Sequence, residues 1–183
     1  MTRIIAGAAK GRTLKVPTHG TRPTSDRVRE SVFNILQHQL GSWFDKNVLD
    51  LYAGSGAYAL ESISRGAKSA VAVENAHHAI EVITQNVKTL DMPVRITHRD
   101  AVKFVSSPAT EKFDVIFIDP PYEVANLVIT TLLQDLIDHE YLAEDGVIVV
   151  ERSARTEDFE VPDSLTIVTD RALGETRVLV LLG

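Results

Sequence analysis

The chain has 183 residues, 44% of them hydrophobic and 24% charged, which suits one globular domain with room for a small appendage. It contains no cysteine, so disulfides, cysteine-based zinc sites and every mechanism with a thiolate nucleophile are excluded. The net charge of −6 is uneven: residues 1–30 hold seven Lys/Arg against Asp26 and Glu30, a net of +5, and the remainder holds twelve against twenty-three, a net of −11. A basic arm on an acidic body keeps a nucleic-acid partner open, beside the plainer reading of a solvated basic loop.

In chain order, Arg3–Ala6 and Arg12–Val16 read as short strands joined by a small-residue turn from Gly7 to Gly11. Cations interrupt this stretch at Lys10, Arg12 and Lys15, so no signal-peptide core is present and a cytoplasmic protein is expected. A loop rich in Gly, Pro and Thr spans His19 to Thr24. Ser25 then suits a helix N-cap, with Asp26 in the first turn and Val28, Val32, Ile35, Leu36 and Leu40 on one apolar face. The first 24 residues are expected to form a basic hairpin arm, and residues 25–183 the main domain.

From residue 46 strand and helix alternate. Apolar strand cores lie at Val48–Tyr52, Ala70–Val73, Val94–Thr97, Val115–Ile118 and Val147–Val150. Helical stretches lie between them, around Ala57–Arg65, Ala76–Leu90, Ala101–Ser106 and Ala125–Asp138. This order predicts a doubly wound, mostly parallel α/β sheet of seven strands, with Leu165–Val168 and Arg177–Leu182 adding an antiparallel hairpin at its end. The apolar runs are too short to cross a bilayer, and the six histidines offer no ligand pair at helical spacing, so neither a membrane nor a metal is expected.

Ligands of such sheets sit beyond the carboxyl ends of the strands. The first parallel strand ends in Asp50-Leu51-Tyr52-Ala53-Gly54-Ser55-Gly56, a turn that lets the backbone approach a ligand closely. On its own this signal is shared by many strand-to-helix turns. Glu74, with Asn75 after it, ends the next strand twenty residues after Gly54, where a carboxylate can accept ribose hydroxyls. Asp100 and Asp119 close two more strands. Clustered carboxylates suit a cationic ligand, and Asp50 would repel a pyrophosphate, so S-adenosyl-L-methionine is favoured over a dinucleotide.

The sharpest motif is Asp119-Pro120-Pro121-Tyr122. The prolines fix an extended turn that presents Asp119 and the Pro120 carbonyl as rigid neighbouring acceptors. Together they can take both hydrogens of an exocyclic amino group, which turns its lone pair toward a methyl donor. Tyr122 can stack on the base. The plainer reading is a Pro-Pro turn that caps a core strand.

These features resemble class I S-adenosylmethionine-dependent methyltransferases that modify amino groups. More narrowly, Arg3-Ile4-Ile5-Ala6-Gly7, Lys10-Gly11-Arg12, Leu14-Lys15-Val16-Pro17 and Thr21-Arg22-Pro23-Thr24-Ser25-Asp26-Arg27-Val28-Arg29-Glu30 with Phe33-Asn34 are similar to the RsmD type. That family methylates guanine N2 in bacterial small-subunit (16S) ribosomal RNA.

The resemblance covers nearly the whole chain and is weakest after Glu151. It implies a cofactor site at Asp50, Tyr52, Ala53, Gly54, Ser55, Gly56, Glu74, Asn75, Asp100, Ala101 and Thr24. It implies that Asp119 to Tyr122 hold the target guanine, that Arg3, Lys10, Arg12, Arg22, Arg27 and Arg29 face RNA, and that Arg22, Thr24, Arg27 and Arg29 also help close the cofactor pocket. One departure is Ala57-Tyr58-Ala59, where relatives commonly carry smaller or aliphatic residues with a Gly after the first pair, so Tyr58 is expected to crowd or reshape the helix start. A monomer acting on ribosomal RNA or an assembly intermediate follows. An adenine-N6 methyltransferase on RNA or DNA, a protein glutamine methyltransferase and a non-catalytic RNA-binding assembly factor are the alternatives. The first normally needs a target-recognition domain for which 183 residues leave no room, and the second usually has Asn where this chain has Asp119.

Overall fold

The computed structural model describes residues 2–17 and 25–183. A two-residue hairpin comes first, β1 (Thr2–Arg3) paired antiparallel with β2 (Thr13–Leu14). These strands are shorter than the alternation predicts, because the chain between them turns away to dock on another helix. Helix α1 (Asp26–Leu40) starts where the sequence places it, with the Ser25 hydroxyl accepting from the Val28 N–H at 3.2 Å.

The main sheet follows as β3 (Asn47–Leu51), α2 (Ala57–Ser64), β4 (Ser69–Glu74), α3 (His77–Leu90), β5 (Val94–His98), α4 (Ala101–Val105), β6 (Phe113–Ile118), α5 (Asn126–Asp138), β7 (Leu142–Ser153), β8 (Thr166–Leu173) and β9 (Thr176–Leu182). Its strand order is β5-β4-β3-β6-β7-β9-β8. The first five of these pair in parallel, and β9 runs antiparallel between β7 and β8. The order reverses between β3 and β6, the switch point at which open α/β sheets form their crevice.

Side chains of alternate residues build two cores. Val48, Ala72, Val115, Phe117 and Val149 pack on the face covered by α1, α2 and α3. Leu49, Val73, Ile116, Ile118 and Val150 pack on the face covered by α4 and α5. Continuous Val/Ile/Leu runs in the strands are what burial on both faces requires.

The hairpin is held by α2. Glu61, fully buried, accepts from the Ile5 and Ala6 N–H groups at 2.7 and 3.0 Å and from Arg65 at 2.7 Å. Ser64 donates to the Ala6 carbonyl and accepts from the Ala9 N–H. Gly7, at φ +82°, passes so close that a Cβ there would lie 1.7 Å from the Ser64 carbonyl oxygen, so only glycine fits.

Candidate active site

Beyond the carboxyl ends of β3, β4, β6 and β7 opens a cleft of about 1450 Å³. It gathers Asp50, Tyr52, Ala53, Gly54 and Ser55 from the first turn, and Glu74 and Asn75 from the second. Asp100, Ala101 and the whole of Asp119-Pro120-Pro121-Tyr122 join them there. Gly56 lies behind the cleft: at φ +77° it opens α2, and a Cβ would meet Ile83 at 2.9 Å. Thr24 and Arg22 lie outside the described residues.

The first turn departs from strand geometry at Tyr52, a non-glycine residue at φ +64°. Ala53 N–H returns to the Val73 carbonyl and Gly56 N–H to the Ala53 carbonyl, so the turn is tied both to β4 and to itself. Glu74 is the hub. Its Oε2 accepts from Gly54 N–H at 2.8 Å, and its Oε1 from the Asn75 and Ala76 N–H groups at 2.8 and 2.7 Å. These bonds aim the carboxylate while leaving lone-pair capacity for a ligand hydroxyl.

Asp50 is 1% exposed and accepts the Ala59 N–H at the start of α2. Burial pushes its carboxyl up to about 8, against the pull of that hydrogen bond and helped by the charges of Asp119 and Glu74. A buried acid of this kind suits a cationic group placed beside it. Asp100 caps α4 by accepting the Lys103 N–H at 3.0 Å, so it has a structural duty as well as a place in the cleft. Among the described residues no cluster of His, Cys, Asp and Glu suits a metal ion, and no helix is long and apolar enough to cross a membrane.

After β6, Tyr122 is 42% exposed at the mouth, a large ring left open to solvent. The loop behind it is fixed by buried Arg152, whose Nη2 donates to the Val124 carbonyl at 2.6 Å and to Asn126 Oδ1 at 3.3 Å. The rigid strand end and this anchor hold the Pro-Pro turn from both sides.

Two expectations are corrected. Arg29 borders the cleft but does not project to solvent: it is 1% exposed and donates to Thr2 Oγ1, Asp26 Oδ1 and the Arg3 carbonyl. It stands three residues before Val32 and four before Phe33 on the buried side of α1, where its hydrogen bonds join α1 to β1. Tyr58 does not crowd the helix start. It is buried, stacked on Phe117 with ring centroids 4.4 Å apart and on Phe33 at 5.9 Å, and its hydroxyl donates to Glu151.

Arg3, Lys10 and Arg12 are exposed on the hairpin, away from the cleft lining, and Arg27 is exposed at its rim. Further wall comes from Val16 and Pro17 of the Leu14–Pro17 motif, to which the resemblance gives no site role, and from residues that no motif marks: Glu151, and Leu173, Gly174, Glu175 and Thr176 around the β8–β9 turn. A carboxylate directly after the apolar run Val147–Val150 is the available signal for Glu151. Asn86 was hidden inside a helix. It is buried, and its amide accepts from Lys15 N–H and donates to the carbonyls of Lys15 and Ser55.

The family model described as "Conserved hypothetical protein 95" matches residues 2–182. The chain is 34% identical over 175 residues to ribosomal RNA small subunit methyltransferase D of Escherichia coli, covering 94% of this chain and 85% of that one. It is 36% identical over 184 residues to YlbH of Bacillus subtilis, covering 97% of each. The solved structure of yhhF from Escherichia coli superposes with a TM-score of 0.86 at 31% identity, covering 99% of this chain and 97% of that one.

Proposed function

We propose, from the premise that the chain belongs to the conserved hypothetical protein 95 family of RsmD-type methyltransferases, that it methylates the N2 amino group of a guanine in small-subunit ribosomal RNA. S-adenosyl-L-methionine is the methyl donor in this reading. The observation that carries the proposal is the placement of Asp119-Pro120-Pro121-Tyr122 in one cleft with Glu74 and the Asp50–Gly56 turn. The residues fit the cofactor: a buried acid suits its cationic groups, and an oriented carboxylate suits its ribose. That cofactor supplies an electrophilic methyl group and no phosphate, in keeping with a turn that begins at Asp50.

Each residue then has a task. Glu74 and the backbone around Gly54 hold the ribose, Asp50 and the turn hold the methionine end, and Asp100 with Ala101 borders the adenine. Asp119 and the Pro120 carbonyl accept the two amino hydrogens of the guanine, directing its lone pair outward. Tyr122 stacks on the base once it has left its helix, a step that costs a few kcal/mol and less in a loop. Arg3, Lys10 and Arg12 on the hairpin and Arg27 at the rim attract RNA phosphates. A non-catalytic assembly role would leave the acceptor pair and the stacking ring without a use.

The test is methyl incorporation from labelled S-adenosylmethionine into small subunits, their free 16S RNA, DNA and protein, followed by mapping of the labelled base. Label on guanine N2 is expected. Asp119→Ala should reduce turnover at least about a hundredfold, the scale of losing an oriented charge acceptor, while calorimetry shows the cofactor still binding. Label on adenine N6, or turnover by Asp119→Ala close to that of the unaltered protein, overturns the reading.

A further inference from the structure

The scheme above leaves the carboxyl of Glu151 without a role. In the parallel pair of β6 and β7, Ile118 lies opposite Val150, so Asp119 and Glu151 are the next residues along. Alternation puts both on the face opposite Ile118 and Val150, and adjacent strands run about 4.8 Å apart. Glu151 is 3% exposed, yet it borders the same cleft as Asp119 and Pro120. It is also anchored from beneath. The Tyr58 hydroxyl donates to Glu151 Oε1, and the Tyr58 ring stacks on Phe117, two residues before Asp119. A carboxyl that is buried, aimed by a tyrosine and adjacent to the amino-group acceptor is a built feature of the pocket wall.

The edge of guanine continues from N2 through N1–H to O6. With the amino group on Asp119, the cofactor turn lies on the β3–β4 side, so β7 faces the other flank of the base. Glu151 is the polar side chain that β7 brings to the cleft.

We propose that Glu151 is a second base-contacting residue, which hydrogen-bonds the N1–H and O6 edge of the target guanine while Asp119 and the Pro120 carbonyl hold its amino group. This rests on the guanine-N2 reading above. Burial raises the Glu151 carboxyl to about 8 against the pull of Arg29, with the Asp50 charge adding to the rise. The neutral acid offers one acceptor for N1–H and one donor for O6.

RNA carrying 2-aminopurine at the mapped position keeps the amino group and loses both N1–H and O6. Unaltered protein should methylate the guanine RNA with kcat/KM at least about tenfold higher, the scale of one well-placed base contact. Glu151→Gln presents the same acceptor and donor and should keep that preference. Glu151→Leu should bring the two RNAs within about twofold of each other, with S-adenosylmethionine affinity unchanged by calorimetry. Tyr58→Phe keeps the ring stack, frees the carboxyl and should narrow the preference, which decides the matter should Glu151→Leu not fold. An undiminished preference in Glu151→Leu or Tyr58→Phe overturns the inference, as does loss on both RNAs in step with lost cofactor affinity. A methyl group mapped to any atom other than guanine N2 overturns the underlying reading as well, and that failure is seen by mapping rather than by preference.

Discussion

Asp50 and Glu151 are acids of the cleft wall almost wholly shielded from solvent, and burial raises each carboxyl to about 8. From ordinary values of 3.8 and 4.5, both therefore bind protons more tightly in the folded chain than in the unfolded one. Stability from this source is complete below about pH 4 and falls as pH rises toward 8, because the folded state then has the protons to lose. The thermal midpoint of the free protein should accordingly drop between pH 5 and about 8.5. Asp50→Asn combined with Glu151→Gln should flatten that slope while keeping the Ala59 and Tyr58 hydrogen bonds. A midpoint that rises over this range in the unaltered protein would contradict the assignment.

Among the elements, the N-terminal hairpin depends on α2 more than on itself, since two residue pairs make a weak ladder. Removing the Glu61 carboxylate strands the Ile5 and Ala6 N–H groups and the Arg65 guanidinium. Glu61→Ala should cost about 2–4 kcal/mol, and amide exchange at Ile5 and Ala6 should accelerate well beyond that in the central strands. Equal protection in both regions would show that the hairpin is held by other contacts. The strand and helix order was legible in the sequence because period-2 and period-3.6 apolar spacing records burial directly. Hairpin strand length was not, since Ile5 and Ala6 alternate properly but give their N–H groups to Glu61, a partner 56 and 55 positions away. The Asp119-Pro120-Pro121-Tyr122 turn was readable because proline dictates its own geometry. Arg29, Tyr58 and Asn86 were not, because their roles come from tertiary partners on other elements.

For the molecule as a whole, Arg29 is interior, so among the described residues of the first thirty the exposed cations are Arg3, Lys10, Arg12, Lys15 and Arg27. Arg3, Lys10 and Arg12 are all exposed on the hairpin. If they meet phosphates, the combined change of Lys10 and Arg12 to Ala should weaken RNA binding and lower the slope of log affinity against log salt by about 1–2. The methyl-transfer rate at saturating RNA should change little. An unaltered salt slope would assign these residues to solvent alone.

The strand order has a consequence for synthesis. β8 reaches the sheet only through β9, which is made after it, and the turn between them walls the cleft together with Thr2, Val16 and Pro17 from the other end. A nascent chain still on the ribosome can therefore form β3, β4 and β6 and their ligand turns while that wall is missing. Vectorial folding completes the pocket only when the last hairpin emerges and inserts beside β7. Enclosure of the cleft on that side thus waits on the β8–β9 hairpin and cannot precede its synthesis.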